Sequence, residues 1–359
     1  MPTYQDVTTP TEHLSRLGFG TSGIMGAALT TSRRLRLLET AYAHGIRHFD
    51  TAPLYGQGEA ESLLGRFSRG KRDSITITTK FGLTPRPIPA WFRPLIPIAR
   101  AFNRRLLIPY RQRRSAQQNP FNQGLKDDSN QLKIEVRPAS IAAIETPLAP
   151  PIANTPSPPV EYSTAVLRDQ IETSLRKLRT DYIDYYLLHE CQASYLNQPF
   201  LESLEKLVQE GKIRHFGIGS GRWQSSCILN QYPTLPWVVQ IPDGLTDHDT
   251  SWFSERSSQH LFTHSTLRLS LEKGRGSEQH VLALWAEITN QNPERPGLLG
   301  EVLLHAALTK NSLGCVIFSS GNPERIRSNA EILRAATAYR PAAEQLLDAL
   351  IATPASTPI

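Results

Sequence analysis

The sequence predicts an α/β fold, a closed (β/α)8 TIM barrel, on three observations. First, eight short β-rich runs alternate with helical stretches, the pattern of a parallel sheet with crossover helices. Second, the polar residues Asp50, Lys80, His189, Ser220, Gln240 and Ser320 fall where those runs end. In a barrel those ends share one mouth, and active sites sit there. Third, the alternative of an open doubly wound sheet calls for GxGxxG directly after strand one. The run here is GFGTSGIMG at 18–26, with the wrong helix context behind it.

The elements follow in order. RLGFGTS at 16–22 is the first strand. A helix over 32–45 places Leu35, Leu38, Ala41 and Ala43 near the helical period, with Gly45 as its stop. IRHFDTA at 46–52 is the second strand, 58–70 a short helix, and SITITTKFG at 74–82 the third strand. The pattern resumes at Ser163, a hydroxyl placed to cap a helix whose Val166, Ile171 and Leu175 share one side. Strand four is 183–190, followed by a helix at 199–211 that stops at Gly211. Strands five to eight are 213–220, 237–243, 260–265 and 313–320. Two helical stretches precede strand eight, and the last helix starts just after it in NPERIRSNAEILRAATA. The tail after Leu350 reads as a frayed end.

Residues 84–160 break this rhythm. They hold 14 of the 27 prolines, too many for continuous regular structure, and a compact barrel rarely needs so long a connection. The reading is one barrel domain over 1–359 with a long Pro/Arg-rich insertion after strand three, at the mouth. Between 84 and 114 stand eight arginines and no acid, interleaved with Trp91, Phe92, Phe102 and Tyr110. A lid or partly disordered loop over the mouth is the expectation. A peripheral membrane or acidic-protein contact through 84–114 is the alternative. Nucleic acid is not expected, since no recognised module accompanies the charges.

Composition narrows the rest. The 359 residues carry a net charge of +6, with an isoelectric point near 9.3. Cys191, Cys227 and Cys315 match neither a disulfide framework nor a zinc spacing, so no metal is expected and a reducing compartment is. The first residues lack the basic and apolar regions of a signal peptide, and no apolar run reaches the ~20 residues of a membrane span. The expected location is cytoplasmic. No feature selects an oligomeric state.

Four residues at strand ends could carry chemistry together. A buried lysine such as Lys80 is costly unless paired, and Asp50 can pair it. A tyrosine beside that lysine is a candidate proton donor, because the cation favours phenolate. Tyr55 stands in FDTAPLYG beside Asp50, and His189 could orient a carbonyl oxygen by hydrogen bond.

These segments resemble the aldo-keto reductase family. RLGFGTS, GIRHFDTAPLYG, ITTKFG, LRTDYIDYYLLHE, GKIRHFGIGS and NPERIRSNA occur in family order and cover nearly all the chain outside the insertion. The resemblance implies an oxidoreductase moving hydride between NADP(H) and an aldehyde or ketone, or the corresponding alcohol. Tyr55 would be general acid/base, Lys80 and Asp50 the pair that tunes it, and His189 the residue that orients the substrate carbonyl. A non-catalytic cofactor-binding or sensor protein on the same fold is the second reading.

For the cofactor the resemblance implies Thr21, Asp50, Ser220, Gln240, His264, Ser319, Ser320, Arg325 and Asn329. Departures from the family pattern fall here. Gly219 and Ser220 stand where Ser-Asn commonly holds the nicotinamide amide, alongside Gln240. His264 stands where a tyrosine usually stacks on the nicotinamide. Ser319 replaces a frequent lysine, whereas Arg325 is retained and Asn329 matches the residue that reads adenine. Ser320 can donate one neutral hydrogen bond to phosphate. The expected cofactor is NADPH, with a moderate preference over NADH.

Overall fold

The computed structural model describes residues 15–26, 29–84, 160–266 and 278–352, all within one compact unit. Apart from Thr84 and Val160, the insertion lies outside the described residues.

Eight parallel strands close in sequence order: β1 (Leu17–Gly20), β2 (His48–Asp50), β3 (Thr76–Phe81), β4 (Ile183–His189), β5 (Ile213–Gly219), β6 (Val238–Pro242), β7 (Phe262–His264) and β8 (Cys315–Phe318). All eight fall inside the runs expected from sequence. The register sets the mouth: Gly20 pairs with Asp50, His189 with Gly219, and Gly219 with Gln240. Side chains alternate between the barrel interior and the helices. Tyr185, Leu187, Val238, Phe262, Cys315 and Ile317 form one buried cluster of strand residues. Phe49, Ile77, Tyr186, Leu188, Phe216 and Ile218 belong to a separate core shared with the helices.

Helix ends follow local chemistry. In α1 (Ser22–Gly26) and α2 (Thr31–Ala43) the chain leaves β1 and returns to β2, and the Thr30 hydroxyl caps α2 by accepting from the Arg33 amide. Next is α3 (Glu59–Phe67), then α4 (Thr164–Leu178), whose Ser163 hydroxyl accepts from the Val166 amide. Helix α5 (Gln198–Gln209) is capped by Asn197, with Pro199 in its first turn. Gly45 and Gly211 follow α2 and α5 at φ 92° and 72°, a conformation that costs glycine little.

Two helices carry no clear signal in the sequence, α6 (Arg222–Gln231) and α7 (Thr250–Arg256). In α6 the apolar Cys227, Ile228 and Leu229 are consecutive, so no apolar stripe marks the helix. The later helices are α8 (Glu278–Thr289), α9 (Leu298–Lys310) and α10 (Pro323–Ala352). Helix α10 runs through Pro341, where the missing N–H and ring clash ordinarily end a helix. Beyond the proline, Ala343 and Leu346 are buried with Trp285 of α8 and Val302 of α9, and that packing holds the last turns. No helix among the described residues is long and apolar enough to cross a membrane.

Helices α3 and α4 touch at Gly65. A Cβ there would stand 2.3 Å from the Lys177 carbonyl oxygen and 2.7 Å from the Leu178 carbonyl. Alanine is the better helix former by ~1 kcal/mol, yet backbone cannot yield as a side chain does, and overpacking costs about 1–3 kcal/mol. Gly65→Ala is therefore expected to lower the thermal midpoint. A midpoint that stays or rises would show that the two helices can separate freely.

Candidate active site

Strand ends bring the four candidate catalytic residues together. Asp50 ends β2 and Lys80 is the penultimate residue of β3. The Lys80 ammonium donates to Asp50 Oδ1 at 2.6 Å and to the Thr51 carbonyl at 3.0 Å. The Gln240 amide donates to the same Asp50 oxygen at 2.8 Å. Both ions are nearly fully buried, so each would be costly without the other. Tyr55 opens a 3-10 turn, Tyr55–Gly58, directly after β2. That turn packs closely on α1: a Cβ at Gly56 would meet Met25 Cε at 2.3 Å. The Lys80 nitrogen lies 5.2 Å from the Tyr55 ring centre. The His189 ring stands edge-on to Tyr55, with centroids 6.0 Å apart.

Burial and neighbouring charge set the protonation of Tyr55, Lys80 and His189. Burial raises the Tyr55 phenol above its ordinary value. Lys80 pulls it down, while Asp50 and Glu190 push it up. The net direction is upward, so the tyrosine is an acid held protonated, with Lys80 moderating the rise. For Lys80, burial works against the cation, but Asp50 and Tyr55 more than restore it. Burial, with Lys80 and His264 nearby, drops His189 well below the ordinary histidine range, so the imidazole is neutral. Its Nδ1 is buried without a hydrogen-bond partner among the described residues.

These residues line a cavity of about 600 Å³ that also reaches Gln240, His264, Ser319, Ser320, Arg325 and Asn329. A further depression of about 440 Å³ lies on the outer surface between α3 and α4, away from all of them. At the Tyr55 end the floor is Gly219, where a Cβ would come 3.3 Å from Gln240 Oε1 and 3.6 Å from Lys80 Cε. At the far end Arg325 is exposed in the first turn of α10 and forms no ion pair among the described residues. Asn329 stands four residues on, along the same helix face.

Two expected cofactor contacts are not among the lining residues. The Thr21 hydroxyl donates to the Asp50 carbonyl at 3.0 Å and bonds the Thr51 hydroxyl, also at 3.0 Å. The Ser220 hydroxyl accepts from the Cys191 amide at 2.8 Å. Both are buried and committed to bracing strand ends. Other lining residues went unread in the sequence: Ser22, Glu190, Ser265, Thr266 and Glu301. Glu190 was within reach of sequence reasoning, as the residue next to His189. Glu301 was not, because α9 carries it to the mouth from a distant part of the chain.

The sequence model of the Aldo/keto reductase family matches residues 16–242. A probable aldo-keto reductase of Glycine max is 26% identical over 209 residues, 57% of this chain and 41% of that one. The chain thus spans less than half the length of that curated relative. Among solved structures, an aldo-keto reductase from Klebsiella pneumoniae in complex with NADPH aligns over 95% of this chain and 92% of its own, at 20% identity and a TM-score of 0.57. The holo form of an aldo-keto reductase from Bacillus halodurans aligns over 93% and 92%, at 20% identity and a TM-score of 0.58. The match spans well over half the sequence, from the first strand to the sixth, and the chain belongs to the aldo/keto reductase family.

Proposed function

We propose that this chain is an NADP(H)-dependent oxidoreductase that reduces an aldehyde or ketone, or oxidises the corresponding alcohol. The observation that carries the reading is one cavity holding Tyr55, a Lys80–Asp50 pair and a neutral His189 at one end, and at the other an Arg325 with no ion pair among the described residues.

The residues fit a nicotinamide dinucleotide. Gly219 leaves room for a flat ring beside Gln240, whose Nε2 is spent on Asp50 and whose Oε1 remains to accept from an amide. His264 lines the same end. Ser319 and Ser320 offer hydroxyls to phosphate, the start of α10 adds a positive dipole end, and Asn329 can bond adenine. When bound, the cofactor would supply or accept hydride. His189 would bond the substrate carbonyl oxygen through its imidazole and orient it. Tyr55 would give that oxygen its proton as the carbon receives hydride, and Lys80 would stabilise the phenolate left behind. In the reverse direction the phenolate would take the alcohol proton.

The closest support for location is three unpaired cysteines, Cys191, Cys227 and Cys315. We propose a reducing, cytoplasmic compartment and a single catalytic barrel into which 84–160 is inserted.

Arg325 decides cofactor choice. Its fork of donors suits the extra 2′-phosphate of NADP, and no acid among the described residues pairs with it. Ser319 adds only a neutral partner. The expected result is a higher kcat/KM with NADPH than with NADH on a panel of aldehydes. Arg325→Ala should cost the NADPH reaction about tenfold or more and the NADH reaction little, as loss of one charged hydrogen-bonding partner predicts. Equal losses would mean that the arginine only stacks on adenine. Tight cofactor binding with no turnover across the panel would favour the non-catalytic reading.

A further inference from the structure

Glu190 lines the catalytic cavity immediately after His189. Its backbone is left-handed, φ 52°, a conformation that costs a residue with a Cβ about 1 kcal/mol or more. The Glu190 amide donates to the Gly219 carbonyl at 3.1 Å, which fixes the turn at the β5 side of the mouth. The other charges around the cavity have obvious tasks. Lys80 is paired with Asp50, and Glu301 with Arg295. Arg325 stands with Ser319 and Asn329 at the far end. Glu190 has no ion pair among the described residues. Burial raises its carboxyl above the ordinary value, against the Gly221 amide and Lys80, which lower it, and its charge in turn raises the Tyr55 phenol. The reaction itself needs no second carboxylate. A strained turn therefore holds a carboxylate with no cationic partner among the described residues on the cavity wall next to His189.

Resting on the reductase reading, we infer that Glu190 is a specificity-determining residue, selecting carbonyl substrates that carry a cationic or hydroxyl donor near the carbonyl and rejecting those that carry a carboxylate there. An ammonium or hydroxyl would donate to it. A substrate carboxylate would meet like charge at the cavity wall.

The test uses three benzaldehydes of similar shape: one with a carboxylate, one unsubstituted and one with a trimethylammonium group. Their kcat/KM values are measured with NADPH for the full-length protein and for Glu190→Gln and Glu190→Lys. The wild type should prefer the cationic over the anionic aldehyde by about tenfold or more, the scale of one charge pair at short range. Glu190→Gln should bring the ratio toward one, and Glu190→Lys should invert it. Circular dichroism checks that each variant is folded, and Glu190→Gln preserves shape if Glu190→Lys does not fold. Ratios unmoved in a folded variant that turns over all three aldehydes would overturn the assignment and leave the reductase reading standing. A wild type that turns over none of them would overturn the reductase reading, and this inference with it.

Discussion

Tyr55→Phe is expected to leave a folded protein that still binds cofactor and turns over about 10²–10⁴ times more slowly, the range associated with one positioned general acid. The change removes a single oxygen. The ring keeps its edge-on packing against His189, and Lys80 keeps Asp50 as its partner. Only the proton source is lost. Solvent must then protonate the oxygen in a site where the cation of Lys80 is already committed. Because His189 remains to orient the carbonyl, KM should move much less than kcat. Stopped-flow measurement of the hydride step, with cofactor affinity from fluorescence quenching, separates the two effects. Near-normal turnover on a good substrate would remove Tyr55 from the role given to it. A large loss of cofactor affinity would point to a displaced ring instead.

Much of the arrangement at the barrel mouth is legible in the sequence. Strand ends are readable because apolar β-rich runs stop abruptly at polar residues, so Asp50, Lys80, His189 and Gln240 marked their own places. Tyr55 was readable because the turn carrying it directly follows β2 and is short. Illegible were features decided by contact across the sequence. Thr21 and Ser220 look like ligand hydroxyls in one dimension, but each has a backbone partner at or just past the end of a neighbouring strand, Asp50 for one and Cys191 for the other. Helix α10 passes Pro341 because packing on α8 and α9 overrides local preference. The direction of the Tyr55 shift was also a matter of balance. Adjacency to Lys80 argued for a lowered phenol, and burial, which only the fold reveals, wins. The same contrast explains Glu190, whose neighbour in sequence was singled out while its left-handed turn was invisible.

Lys80→Met is the companion test, and its expected outcome has a definite sign. Tyr55 already sits above its ordinary value of 10.0, with Lys80 holding it back. Without the cation, burial, Asp50 and Glu190 act unopposed, and the phenol rises further. Alcohol oxidation needs phenolate, so its rate at a fixed pH should fall and its rising limb should move to higher pH. Carbonyl reduction starts from the protonated phenol, which stays protonated through neutral pH. That direction should slow because phenolate forms without a stabilising charge, with no new limb near neutrality. Stability is affected separately. Removing one member of a buried pair leaves Asp50 uncompensated and costs about 3–5 kcal/mol, so a slow, partly unfolded variant would by itself be uninformative. The double variant Asp50→Asn/Lys80→Met answers this. With both members of that buried pair neutralised, most of the thermal midpoint should return, while Gln240 retains an oxygen to bond. The oxidation limb should remain displaced and the rate low, because the cation beside Tyr55 is still missing. If the double variant instead recovers both rate and pH profile along with stability, the Lys80–Asp50 pair is a brace for the barrel mouth and Tyr55 is tuned by something else.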